Sequence, residues 1–126
     1  VCILVVEDEA LIRFVIIEVF GSAGFEVCEA CCGEQAAALI DAADRRFSLL
    51  ITDIHMPGKL DGIAVAGLMR LRYPGTPILF TTGRPDVLDG PEGLKTGDRL
   101  LQKPYGPTRL LTVAREMLDG KLPLYL

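Results

Sequence analysis

Glu7-Asp8-Glu9, Asp53, Thr81-Thr82 and Lys103 are the residues of this chain whose types would do chemistry if they met. Carboxylates brought close together repel, and each raises the cost of ionising the others. A hard divalent cation removes that penalty, and Mg²⁺ favours a few carboxylates combined with water and phosphate oxygens. Glu7 or Asp8 together with Asp53 therefore makes an expected Mg²⁺ site. Lys103 adds a compact positive charge, and Thr81 or Thr82 a hydroxyl. Such a set suits the holding and transfer of a phosphoryl group. Asp53 would attack phosphorus as the nucleophile, while Mg²⁺, Lys103 and the threonine hydroxyl would stabilise the phosphoryl oxygens. Each residue alone has a plainer reading. An acidic residue at position 8 or 9 could simply favour a helix N-terminus, a strand-end Thr is commonly structural, and Lys before Pro is commonly a solvated loop. Only their meeting in one cleft makes the chemistry.

Whether they meet depends on the elements between them. Cys2–Val6 is an unbroken apolar run, as in a strand covered on both faces. Leu11 to Phe20 has the pattern of a helix, stopped at Gly21 and Gly24. Phe25–Ala30 is an alternating strand, and Glu34–Ala43 an Ala-rich helix. Phe47–Thr52 is a third strand running into Asp53. A loop from Met56 to Gly62 leads to a helix over about Ile63–Arg72, closed by Pro74 and Gly75. Pro77–Thr82 and Arg99–Gln102 are the last two strands, and Pro107 starts a final helix running to about Leu118. Between Gly83 and Gly97, with Pro85, Gly90, Pro91 and Gly93, any helix must be short or irregular. Strands alternating with helices imply βαβ units and an α/β fold with a doubly wound, five-stranded parallel sheet. A flavodoxin-like order 2-1-3-4-5 would place the topological switch between strands one and three, where such sheets bind ligands. Strand one ends at Glu7-Asp8-Glu9, strand three at Asp53, strand four at Thr81-Thr82 and strand five at Lys103, so all four ends would share that cleft.

The 126 residues fit one domain, expected over 1–126. A net charge of −4 and the lack of any basic run argue against a nucleic-acid surface. The most apolar stretch, Ala10 to Phe20, contains Arg13 and Glu18 and is too short to span a bilayer, so no membrane contact is expected. Cys28-Glu-Ala-Cys31 has C-x-x-C spacing, but no second pair or nearby His completes a metal set. The four cysteines read as free thiols packed as small hydrophobes, which suits a reducing cytosol and a cytoplasmic location.

The motifs resemble the receiver domain of two-component response regulators. The likeness covers nearly the whole chain: Ile3-Leu4-Val5-Val6-Glu7-Asp8-Glu9, then Leu50-Ile51-Thr52-Asp53-Ile54-His55-Met56-Pro57, then Leu101-Gln102-Lys103-Pro104-Tyr105. The three together are specific where any one would be weak. The resemblance implies that Asp53 accepts a phosphoryl group from a histidine kinase or histidine phosphotransfer protein and that the domain then switches a surface for a downstream protein target. It implies Mg²⁺ held by Asp8, Asp53 and the backbone carbonyl of His55, with Glu7 acting through water. Thr81 takes the switch-hydroxyl position, Thr82 the small-residue position, and the Lys103–Pro104 bond is cis. The His55 side chain would border the pocket mouth and tune phosphoryl lifetime. Apart from self-directed phosphoryl transfer and autodephosphorylation, no enzymatic activity is implied; homodimerisation is left open.

Three features depart from the family pattern. The loop from Pro57 to Gly62 is one residue longer than the shortest form. Leu100 stands where many receivers carry an aromatic switch residue. The Gly/Pro-rich stretch after Thr82 replaces a regular fourth helix, and Phe80-Thr81-Thr82-Gly83 looks like a variant of a motif in single-domain receivers whose fourth helix is poorly formed. Competing readings are weaker. A haloacid-dehalogenase-type phosphatase needs a second Asp where His55 stands, and a flavodoxin-type carrier would set Glu7-Asp8-Glu9 against its FMN phosphate. A pseudo-receiver that only binds a partner would have no use for Asp53 and Lys103.

Overall fold

A computed structural model of the chain describes residues 2–42, 46–83, 95 and 97–120. Nine elements follow in the order β1 (Cys2–Val6), α1 (Ala10–Ser22), β2 (Glu26–Ala30), α2 (Gly33–Ala42), β3 (Leu49–Asp53), α3 (Gly62–Arg72), β4 (Ile78–Thr82), β5 (Arg99–Gln102) and α4 (Pro107–Leu118). The expected elements lie within one or two residues of these bounds. β3 takes in Asp53, which was expected just beyond it. The expected irregular helix between the fourth and fifth strands falls mostly on 84–94 and 96, outside the described residues.

All five strands pair in parallel in the order β2-β1-β3-β4-β5. The chain order reverses between β1 and β3, so their carboxyl ends flank the switch point. β1, β3 and β4 are buried along their whole length, which is why their sequences are solid apolar runs rather than alternating ones. Side chains still alternate between the two faces of the sheet. Leu4, Val6, Leu50, Ile78 and Phe80 pack against α2 and α3. Ile3, Val5, Leu49, Ile51, Leu79 and Leu101 pack against α1 and α4.

The helices present the apolar stripes this layering needs. α4 buries Leu110, Val113, Ala114 and Met117, spaced three and four apart on one face, and begins with Pro at its first turn. α3 is capped by Asp61, whose carboxylate accepts from the Ala64 N–H at 2.9 Å. Arg70 and Arg72 lie in its last turn, where the helix dipole favours cations. α1 buries only Ile16 and Phe20 and leaves Leu11, Phe14 and Val15 exposed. No described helix is long and apolar enough to cross a membrane.

Candidate functional site

Period-two alternation along the strands decides which side chains meet. Counting from the core, Glu7 continues the face of Ile3 and Val5, and Asp53 that of Leu49 and Ile51. Thr81 continues the face of Leu79, and Lys103 that of Leu101. All four belong to the α1/α4 face of the sheet at its carboxyl end. Asp53 and Thr81 are direct register partners. Thr82 has the opposite parity, with Phe80, and is fully buried. Of the two threonines, Thr81 is the one that shares the face of Asp53. Leu100 also has the opposite parity. It is paired in register with Phe80 and packs into the α2/α3 core, half-buried.

At the sheet end the expected residues converge. The Lys103 ammonium donates to Asp53 Oδ2 at 2.9 Å and lies 3.3 Å from Glu7 Oε1. Glu7 and Asp53 are buried, whereas Asp8 is the most exposed of the acidic trio. Lys103 is carried there because its own N–H donates to the Thr82 carbonyl at 2.7 Å, extending the β4–β5 ladder by one bond; its peptide to Pro104 is cis. Glu7 is placed in the same way, its N–H donating to the Ala30 carbonyl at 3.1 Å. Its Oε2 accepts from the Glu9 N–H at 3.0 Å.

The electrostatics follow from that burial. Loss of solvent pushes the Glu7 carboxyl up to about 7, with the Asp53 charge adding to the rise and the Glu9 N–H and Lys103 opposing it. For Lys103 burial alone would lower the ammonium, but the hydrogen bond to Asp53 and the charge of Glu7 outweigh it and the net shift is upward. Tyr105, two residues on, has a buried hydroxyl with no hydrogen-bond partner among the described residues, and burial followed by the Glu7 charge pushes it up to about 12.

Glu7, Asp8 and Asp53 each offer an oxygen, all within 4.8 Å of one another. Glu7 Oε1 is buried, and the Lys103 ammonium lies 3.3 Å from it. Three converging carboxylates, two of them buried, fit a hard divalent cation of the Mg²⁺ type.

Asp53 is followed by the β3–α3 loop. His55 is exposed there, with Met56 to Lys59 and Asp61 lining a cavity of about 580 Å³. The loop is tied back to α2, where Glu34 Oε1 accepts from the Leu60 N–H at 3.1 Å. Gly58 lies at φ +103°, a conformation that suits Gly.

Two residues at the site escaped the sequence reading. Arg13 donates through Nη1 to the Glu7 carbonyl at 2.8 Å and through Nε to Glu29 Oε1 at 3.1 Å. A charged residue inside the most apolar stretch of the chain was the one signal for it. Gly62 lies so close under Asp53 that a Cβ there would meet the Asp53 carbonyl oxygen at 2.1 Å. A helix-starting glycine carries no sign of such an approach.

A family model described as "Response regulator receiver domain" matches residues 3–115. The chain belongs to the response regulator receiver family. Aerobic respiration control protein ArcA of Escherichia coli K12 is 33% identical over 123 residues, which cover 97% of this chain and 50% of ArcA. The chain thus spans about half the length of that relative. Among solved structures, a response regulator receiver protein from Sinorhizobium medicae superposes with a TM-score of 0.86 at 26% identity, covering 95% of each chain. The receiver domain of the hybrid histidine kinase CckA superposes with a TM-score of 0.80 at 30% identity, covering 94% of this chain and 99% of that one. Membership gives the chain the phosphoacceptor role of two-component signalling. Receiver domains bind Mg²⁺ at an acidic pocket and interact with histidine kinases and downstream effectors.

Proposed function

We propose that Asp53 is the phosphoacceptor and that Lys103, Thr81, Glu7, Asp8 and His55 serve the transfer. The observation that carries this is the Lys103 ammonium bridging Asp53 and Glu7 at 2.9 and 3.3 Å within a buried pocket. An Asp53 carboxylate oxygen attacks the phosphorus of a phosphohistidine. The new P–O bond forms as the P–N bond breaks, its electron pair leaving on the imidazole nitrogen, which takes a proton from solvent. Lys103 already holds the attacking carboxylate and follows the charge onto a phosphoryl oxygen. Thr81, beside Asp53 on the next strand, donates its hydroxyl to another. Asp8, Asp53 and the His55 carbonyl would hold Mg²⁺, with Glu7 reaching it through water. When bound, the ion offsets negative charge on the carboxylates and the phosphoryl group.

The chain on this reading is no turnover enzyme. Its chemistry is confined to gaining and losing its own phosphoryl group, from a histidine kinase or histidine phosphotransfer protein, and to switching a surface for a downstream protein. Incubation with acetyl phosphate and Mg²⁺, followed by intact mass, should show one added phosphoryl group on wild type and none on Asp53→Asn. An adduct undiminished in Asp53→Asn would move the site elsewhere. Steady turnover of unrelated phosphoesters would favour an aspartyl-phosphate phosphatase, and no reaction at all a pseudo-receiver.

A further inference from the structure

We infer that Arg13 is a positioning residue for the acidic pocket, holding the Glu7–Asp8 peptide so that the carboxylates converge before any cation arrives. The inference rests on the proposal that the trio holds Mg²⁺. Arg13 lies in the first turn of α1, yet its side chain turns back and is only 19% exposed. Its Nη1 donates to the Glu7 carbonyl at 2.8 Å. That oxygen belongs to the peptide whose nitrogen is Asp8, so the bond fixes the plane from which Asp8 projects. The other end of the planar guanidinium is held by Glu29 Oε1 at 3.1 Å, on the neighbouring strand β2.

The turn is fastened at three further points. The Glu7 N–H donates to Ala30, the Glu9 N–H to the Glu7 carboxylate, and the Arg13 N–H to the Glu9 carbonyl at 2.9 Å. Among these bonds, only the one from Nη1 constrains the Glu7–Asp8 peptide itself. Three carboxylate oxygens within 4.8 Å of one another repel, and the bond from Nη1 opposes a shift of the Glu7–Asp8 peptide under that repulsion. Arg suits the task because its fork reaches two acceptors in fixed directions, whereas the Lys ammonium is a point charge on a flexible stem. Orienting groups behind metal ligands commonly change metal affinity by about 10- to 100-fold when removed.

The test is an MgCl₂ titration followed by the amide NMR signals of residues 7–9 and 53, with thermal unfolding measured without Mg²⁺. Arg13→Gln should raise the Mg²⁺ dissociation constant by about tenfold. Phosphorylation by acetyl phosphate should then need more Mg²⁺ for half-maximal rate, while the rate at saturating Mg²⁺ stays within about twofold, as expected when positioning rather than chemistry is lost. Glu29→Gln, at an exposed position, should shift the dissociation constant in the same direction by less and leave the fold intact. A dissociation constant for Arg13→Gln within twofold of wild type would overturn the inference, as would full recovery of wild-type affinity in Arg13→Lys, which would make charge alone the agent. Absence of Mg²⁺ binding by wild type would instead defeat the reading of the trio on which the inference rests.

Discussion

Gly62→Ala separates this account from one based on local propensity, because the two predict opposite signs. A Cβ at position 62 would lie 2.1 Å from the Asp53 carbonyl oxygen and 2.8 Å from both the Asp53 carbonyl carbon and Ile54 Cα. All three are backbone atoms and cannot rotate away. Real Cβ atoms essentially never come within 3.0 Å of such neighbours, so α3 and the end of β3 must part by about 0.9 Å. Overpacking of this kind costs about 1–3 kcal/mol. At roughly 4 °C per kcal/mol for a domain of this size, Tm falls by about 4–12 °C. Helix propensity alone would favour Ala over Gly by up to ~1 kcal/mol. The displaced peptide is that of the proposed nucleophile, and a misplacement near 1 Å can cost on the order of 100-fold in rate. Thermal unfolding and the time course of the acetyl phosphate adduct, followed by intact mass at equal Mg²⁺, measure both effects. A variant that melts at or above wild type and phosphorylates at the wild-type rate would refute the reasoning.

Lys103→Ala leaves Glu7 and Asp53 buried without their shared cation, and adduct formation at saturating acetyl phosphate should slow by about 100-fold or more. Thr81→Ala should slow transfer by about tenfold, as a lost hydrogen bond to a charged group of roughly 1.5 kcal/mol implies, while Thr82→Ala, on the opposite face, should leave the rate within about twofold; equal effects would undo the parity assignment. Glu7 is raised from 4.5 to about 7 in the fold, so between these values the folded state binds a proton that the unfolded state has lost. Without divalent cation, stability to urea should therefore fall as pH rises from about 4.5 to 7 and stay low above that, and Mg²⁺ should flatten the fall. Asp98, whose side chain is 3% exposed, pairs with Arg70 and accepts from the Ile78 and Lys95 N–H groups at 3.3 and 3.0 Å. Asp98→Ala should cost about 2 kcal/mol in urea unfolding, since it removes the partner of Arg70 and leaves the part-buried Ile78 N–H without its acceptor, without changing the phosphorylation rate of the folded protein.

The sheet was legible in the sequence because β1, β3 and β4 are covered on both faces and therefore read as solid apolar runs. Their ends carry Glu7, Asp53 and Thr81, so legible strands made a legible cleft. The residues alone left Thr81 and Thr82 open and only the resemblance favoured Thr81, because period two puts adjacent residues on opposite faces and a solid run conceals which face is which. Arg13 and Gly62 stayed hidden for a different reason. Both act through backbone carbonyls, at Glu7 and Asp53, and no residue type announces that its neighbour in space is a peptide oxygen. The Asp98 cluster joins α3, β4 and the start of β5 and has no local pattern at all. Leu100 was read as a departure from an aromatic position, and its packing against the α2/α3 core gives that departure a place.

The central claim is that the phosphoryl group resides on Asp53. Borohydride reduction of the acetyl phosphate-treated protein converts an aspartyl phosphate to homoserine, which peptide mass spectrometry can locate by position. The account predicts homoserine at position 53 alone, dependent on Mg²⁺ and absent from Asp53→Asn. Homoserine at another acidic residue, or a phosphoryl adduct that yields none at position 53, would contradict it.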